Sequence, residues 1–328
     1  MTRYSRSKFG KIGGSTIASI VGENPWETAL GAYFRLRGEV SPTPDNIAMA
    51  RGRRYEPVVA AIFQCGRPEL RVARNRRGTD EPEYLEHPKY PYLIGRPDAI
   101  LFDSKSRALV AGLEIKTTHW SNRRKWGAEG TDAIPKNYLL HCQWYAGLMK
   151  LPEWRVAVAF LDDDGIMTRY GEYLARADEE LFETLVERAV DFWENHIVPG
   201  VPPEMERVDE ATERWLLERF PNNVAPLDVA TEAEERLMAD YLAKRAALDA
   251  ARTECEKSEF ALKSAIGERD GLRSETFGKV TWKRSKDYDR VDYRAVCEEL
   301  NPSEELLAKC RKRVEGTRRF VFAGSRSD

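Results

Sequence analysis

One stretch constrains this chain more than any other: R-P-D-A-I-L-F-D-S-K-S-R-A-L-V-A-G-L-E-I-K-T-T, residues 96 to 118. It reads as two strands joined by a turn. Side chains alternate across a strand, so residues two apart share a face. Glu114 and Lys116 therefore point one way, and Leu113 and Ile115 the other. If the strands pair, Asp98 lies beside Glu114. Two adjacent carboxylates form a hard oxygen site, suited to Mg²⁺ or Mn²⁺. A lysine next to such a site can orient or deprotonate a water, and the set is equipment for metal-assisted phosphodiester hydrolysis. The E-x-K spacing alone is more often an ordinary half-buried strand, and Pro-Asp is a common turn pair, so other segments must decide.

The 328 residues suffice for one large or two modest domains. A hydrophobic share of 42% supports a globular core, while 32% charged residues imply a strongly ionic surface. The net charge of −2 leaves a nucleic-acid partner open, because local basic patches decide that affinity. The five cysteines are odd in number and form no C-x-x-C pair, which argues against a zinc site or a disulfide framework. A reducing cytoplasm is the expected location. The basic N-terminus is not followed by an apolar run of signal-peptide type, and the longest apolar run, 156–161, is too short to span a bilayer. No membrane association is expected.

In chain order, K-I-G-G-S-T-I-A-S-I-V-G at 11–22 suggests a short helix with Ser15 as its N-cap. The plainer reading is an ordinary capped helix. The functional one is a phosphate pocket, given Arg3, Arg6, Lys8 and Lys11 upstream. A longer helix over 47–65 carries Arg51, Arg53, Arg54 and Glu56, with Pro57 predicting a kink or a fresh start. Glu56 fits either a surface ion pair or a further metal ligand. Arg67, Arg71, Arg74, Arg76 and Arg77 fit phosphate contacts or a solvated edge strand equally. In W-S-N-R-R-K-W, Trp120 and Trp126 bracket Arg123, Arg124 and Lys125, which suits a nucleic-acid strand or a loop closed by packed tryptophans.

Residues 134–150 predict a helix with Pro135 at its start. On it Gln143 needs a polar partner, and His141 reads as a satisfied core or surface histidine. W-R-V-A-V-A-F-L and M-T-R-Y-G-E-Y-L form a hairpin turning at Asp164-Gly165, and 177–196 is an amphipathic helix. V-P-G-V-P-P at 198–203 marks a boundary, giving a domain over 1–203 and an extension over 204–328. The extension starts with one long helix or a helical hairpin at 232–271, followed by a strand, two helices and a last strand, R-R-F-V-F-A-G, and its end is locally basic.

Helices, three strands bearing D…E-x-K, a helix with Gln143 and two more strands: this order resembles the PD-(D/E)xK nuclease core. The blocks I-G-G-S…G-E-N-P-W, R-G-R-R-Y-E-P, R-P-D, L-E-I-K-T-T and the Gln143 helix resemble, jointly, the YqaJ-type viral recombinases, relatives of the lambda-type phage exonuclease and of RecE. The resemblance covers residues 9–195. It implies an α+β (α/β/α) restriction-endonuclease-like fold, a mixed central sheet flanked by helices. It implies metal ligation by Asp98, Glu114 and the Ile115 carbonyl, with Glu56 as an additional acidic position. Lys116 would serve the attacking water and Gln143 would sit near the metal and the lysine. Ser15 would help receive the 5′-phosphate of a DNA end, with Lys8, Lys11 or Arg6 standing in for a basic partner that has no clear match. Arg54, Arg123 and Arg124 would contact DNA.

The expectation is a Mg²⁺-dependent 5′→3′ exonuclease on linear double-stranded DNA, with Mn²⁺ as a substitute. It would leave 3′ overhangs for a single-strand annealing protein in phage-type recombination, in a bacterial host, as a homo-oligomeric ring of three or four copies. The rivals are an endonuclease on the same core and a non-catalytic DNA-binding or assembly protein.

Overall fold

The computed structural model describes residues 3–5, 10–74, 84–223, 227–287, 289 and 291–311. Lys8, Arg6, Arg76, Arg77 and the expected last strand lie outside the described residues. The chain divides into two compact units, 1–221 and 222–328.

The first unit runs β1 (Arg3–Ser5), α1 (Gly14–Ile20), α2 (Ala29–Leu36), α3 (Ile47–Gly66), β2 (Leu70–Arg74), β3 (Tyr84–Glu86), β4 (Ile94–Gly95), β5 (Ala99–Asp103) and β6 (Leu109–His119). A 3₁₀ turn (Trp120–Lys125), α4 (Lys136–Met149), β7 (Glu153–Leu161), β8 (Met167–Arg176), α5 (Glu179–Phe192), a π-helical turn and α6 (Glu210–Arg219) follow. The main sheet has the order β2-β5-β6-β7-β8. Only β6 and β7 run parallel, joined through α4, and the other neighbours are antiparallel. This is a mixed sheet with helices on both faces, the expected α+β class.

Alternation along β6 sorts its residues between two cores. Ala111, Leu113 and Ile115 join Ala157, Ala159 and Leu161 of β7 against Val59, Ala60 and Phe63 of α3. On the other face Val156, Val158 and Phe160 pack with Trp144 of α4 and Leu185 of α5. Gly112 lies on this second face beneath Trp154, whose ring would stand 2.2 Å from any Cβ there. Glu114 and Lys116 share the phase of Gly112, so they project on the α4 side.

Several local expectations change. Helix α3 runs through Pro57 as one element, without a fresh start. Strand β2 is a sheet edge, as the plainer reading of the arginine-rich stretch had it. Arg67 pairs with Glu172 at 2.7 Å and Arg71 lies over the Phe102 ring. The unit boundary falls at 221/222 rather than at 203/204. The reason is Asp209, which caps α6 and accepts from the backbone N–H and the hydroxyl (2.7 Å) of Thr28, itself the cap of α2. Trp215 stacks on Phe34 at 4.3 Å between ring centroids.

The second unit contains α7 (Glu232–Ile266), β9 (Gly271–Ser274), β10 (Gly278–Thr281), α8 (Tyr293–Leu300) and α9 (Glu304–Cys310). Helix α7 is one helix rather than a hairpin. Its Thr231–Glu234 capping box and five i,i+3 or i,i+4 ion pairs, from Arg236–Glu232 to Lys263–Glu259, support it in place of a packed face. Strands β9 and β10 pair antiparallel; β9 was not foreseen. Among the described residues no helix is long and apolar enough to cross a membrane.

Candidate active site

Strands β5 and β6 pair with Ala99 opposite Leu113. Continuing that register by one residue sets Asp98 opposite Glu114, as the sequence suggested. Asp98 Oδ2 accepts from the Ile115 N–H at 2.9 Å. In a strand the N–H and C=O of one residue leave by the same edge, so the Ile115 carbonyl also faces the Asp98 side. Asp98, Glu114 and Lys116 line one cavity of about 360 Å³, together with Gly13, Gly14 and Ser15. Arg96, Tyr84, His141 and Tyr145 complete much of the wall.

Glu114 is only 1% exposed. Its Oε1 receives the Lys116 ammonium and lies 3.0 Å from His141 Nδ1. Its Oε2 is buried without a hydrogen-bond partner among the described residues. Burial opposes ionisation of Glu114, but the charges of His141 and Lys116 outweigh it and bring the carboxyl down to about 2. Asp98 moves the other way, to about 6, through burial first and then repulsion from Glu114. Lys116 rests over the Tyr138 ring, 5.3 Å from its centroid. Burial disfavours its ammonium, yet Glu114 and Asp98 together hold its pKa above the ordinary lysine value. The lysine is therefore a fixed cation here. The lowered pKa that a base would need is absent.

These residues suit a small divalent cation. Glu114 Oε2 is an orphaned buried anion among the described residues, and Asp98 is pushed toward protonation by burial and by Glu114. Among the described residues no group of three or more His, Cys, Asp and Glu forms a closed cage. Two adjacent carboxylates suit Mg²⁺, which keeps several waters and takes few protein ligands.

The other expected site residues fall as follows. Ser15 lines the cavity, but it is not the cap of α1; Gly13 holds that place and has no side chain to offer. Lys11 pairs with Glu86 at 2.7 Å. Glu56 lies on α3, the helix packed on the opposite face of the sheet, and is not part of the cavity wall. Gln143 is also outside the wall. Its amide donates to the Arg176 carbonyl at 2.7 Å and accepts from the Asp178 N–H, so it ties α4 to the junction of β8 and α5. Arg54 is exposed on α3, and Arg123 and Arg124 are exposed on the 3₁₀ turn that follows β6. Arg123 lies over the exposed Trp120, while Trp126 is buried, so only one tryptophan closes that loop. His141, Tyr145 and Arg96 were missed as wall residues. The i,i+4 spacing of His141 and Tyr145 on an otherwise apolar helix was the available signal.

A mixed sheet that presents aspartate, glutamate and lysine at adjoining strand positions beneath helices agrees with the fold that the resemblance to the PD-(D/E)xK core implied. Residues 3–148 match the model of the YqaJ-like viral recombinase domain. Protein YqaJ of Bacillus subtilis is 28% identical over 237 residues, which are 71% of this chain and 68% of that protein. Two solved structures are also similar. An alkaline exonuclease from Laribacter hongkongensis is 18% identical over 57% of this chain and 88% of its own, with a TM-score of 0.42. A phage-related exonuclease from Haemophilus somnus is 16% identical over 58% and 96%, with a TM-score of 0.43.

Proposed function

We propose that this chain is a Mg²⁺-dependent deoxyribonuclease that digests linear double-stranded DNA from 5′ ends and leaves 3′ single strands. The observation that carries the reading is the convergence of Asp98, Glu114 and Lys116 on one cavity with an orphaned carboxylate oxygen. Held by Asp98 and Glu114 with the Ile115 carbonyl alongside, Mg²⁺ or Mn²⁺ would polarise a phosphodiester and lower the pKa of a water. Lys116 keeps its proton, orients that water and offsets charge developing on the phosphate. The Ser15 hydroxyl, on the same wall, donates to the terminal 5′-phosphate. Arg123 and Arg124 hold the backbone beyond the site without reading sequence.

Polarity and recombination rest on the resemblance of the sequence blocks to YqaJ-type and lambda-type enzymes and on the match of residues 3–148 to the YqaJ-like viral recombinase domain. The same support extends the reading to an annealing protein that receives the 3′ strand, a homo-oligomeric ring around DNA and a location in the bacterial cytoplasm.

Linear duplex labelled at either the 5′ or the 3′ end, incubated with Mg²⁺ or with chelator, tests catalysis and polarity together. Loss of the 5′ label first, only with Mg²⁺, is expected. Covalently closed circles should stay intact, and their cleavage would point to an endonuclease instead. Lys116→Ala should lower the rate by about 100-fold or more. An unchanged rate would sink the mechanism.

A further inference from the structure

His141 takes no part in the mechanism above, yet it is held from three sides. Its Nδ1 faces Glu114 Oε1 at 3.0 Å and its Nε2 faces the Tyr145 hydroxyl at 2.7 Å. Its ring occupies the space beside Gly14, where any Cβ would come within 2.0 Å of His141 Cδ2. A side chain at residue 14 would push the imidazole out of place.

The contact with Glu114 fixes one ring proton. An ionised carboxylate only accepts, so Nδ1 carries the proton and donates to Glu114. Nε2 is hydrogen-bonded to the Tyr145 hydroxyl, whose oxygen takes a hydrogen bond from the backbone at Arg96. The chain of contacts runs Tyr145, His141, Glu114. Lys116 and His141 together occupy Oε1, and Oε2 is left without a partner among the described residues. The carboxylate cannot rotate without giving up both donors in a buried place, where an unmade hydrogen bond is costly.

We propose that His141 is a positioning residue: it fixes the Glu114 carboxylate so that Oε2 is presented to the divalent cation, and Tyr145 fixes His141 in turn. Outer partners of metal-bound carboxylates orient their ligands in this way. The proposal rests on Asp98 and Glu114 holding that cation.

The test reads Mn²⁺ affinity of the full chain by electron paramagnetic resonance, without DNA and without turnover. Wild-type protein should bind Mn²⁺, and His141→Ala should weaken binding by about 10- to 100-fold. His141→Asn places an amide donor where Nδ1 stands and should recover most of the loss. Tyr145→Phe should weaken binding in the same direction by a smaller factor, and it carries the test if the alanine variant does not fold. A folded His141→Ala chain that binds Mn²⁺ within twofold of wild type overturns the proposal, as does an Asn variant no better than Ala. Wild-type chain that binds no Mn²⁺ removes the metal reading and this inference together. Failure of the variants alone removes only the inference.

Discussion

At the scale of single residues, Asp98 and Glu114 are two carboxylates with opposite fates. Glu114 has Lys116 and His141 on it and stays ionised, while Asp98 has burial and a neighbouring anion and is raised to about 6. Below about pH 3 Asp98 is protonated in both the folded and the unfolded chain and adds no penalty. As pH rises from there to 6, the unfolded chain ionises first, so the metal-free fold loses stability, and the loss is complete above 6. Asp98→Asn keeps an acceptor for the Ile115 N–H and removes the buried charge. In chelator at pH 7.5 the variant should be more stable than wild type by about 1–3 kcal/mol. The difference should vanish near pH 3. Urea unfolding at both pH values measures this, and a variant less stable at pH 7.5 would contradict the strain assigned to Asp98.

At the scale of elements, the site depends on pairing and phase. Antiparallel pairing of β5 with β6 carries Asp98 to Glu114, and a period of two sends Glu114 and Lys116 to the α4 face. Both results were readable in R-P-D…L-E-I-K-T, because the side-chain period of a strand is fixed by its backbone. The phase of α4 was not readable to the same degree. His141 and Gln143 are two residues apart and diverge around the helix, so only one of them can face the cavity, and packing of Trp144 and Phe182 decides which. The cap junction between α2 and α6 is a second long-range decision. Asp209 serves both helices from a buried position, and its interactions with Thr28 and Thr212 keep its carboxyl below the usual range despite burial. Asp209→Ala should cost about 2–4 kcal/mol, more than an exposed cap, because buried donors lose their acceptor. Chemical denaturation checks this, and a loss under about 1 kcal/mol would show that α6 adds little to the first unit.

At the scale of the whole molecule, every described residue assigned to the site belongs to the unit 1–221. That unit has both hydrophobic cores and the complete five-stranded sheet. A chain ending at Pro221 should therefore unfold cooperatively and bind Mn²⁺ with the affinity of the full chain. A chain ending at Pro203 should be less stable, because it loses Asp209 and Trp215 and uncovers α2. Circular dichroism melts of the two truncations, with Mn²⁺ titration of each, distinguish these outcomes. Equal stability would restore the boundary at the Pro-rich stretch. Helix α7 lies in the other unit and is solvated along nearly its whole length, with only Ile266 buried, so its place there follows from capping and ion pairs rather than from a core.

The sequence by itself determined what local physics controls: strand alternation that pairs Glu114 with Lys116, the Asp164-Gly165 hairpin, the start of α4 at Pro135 and the class of the sheet. Its five ordered blocks also carried the family resemblance, because they preserve residue types that strands and turns hold at fixed spacing. Tertiary structure decided what depends on contacts between distant segments. It turned His141 rather than Gln143 toward Glu114, drew α6 into the first unit and left Glu56 on the far face of the sheet. It also set the charge of Lys116. Burial alone would have lowered the lysine pKa, but two carboxylates in the same cavity hold the proton on, and their distance from the lysine is a property of the folded chain.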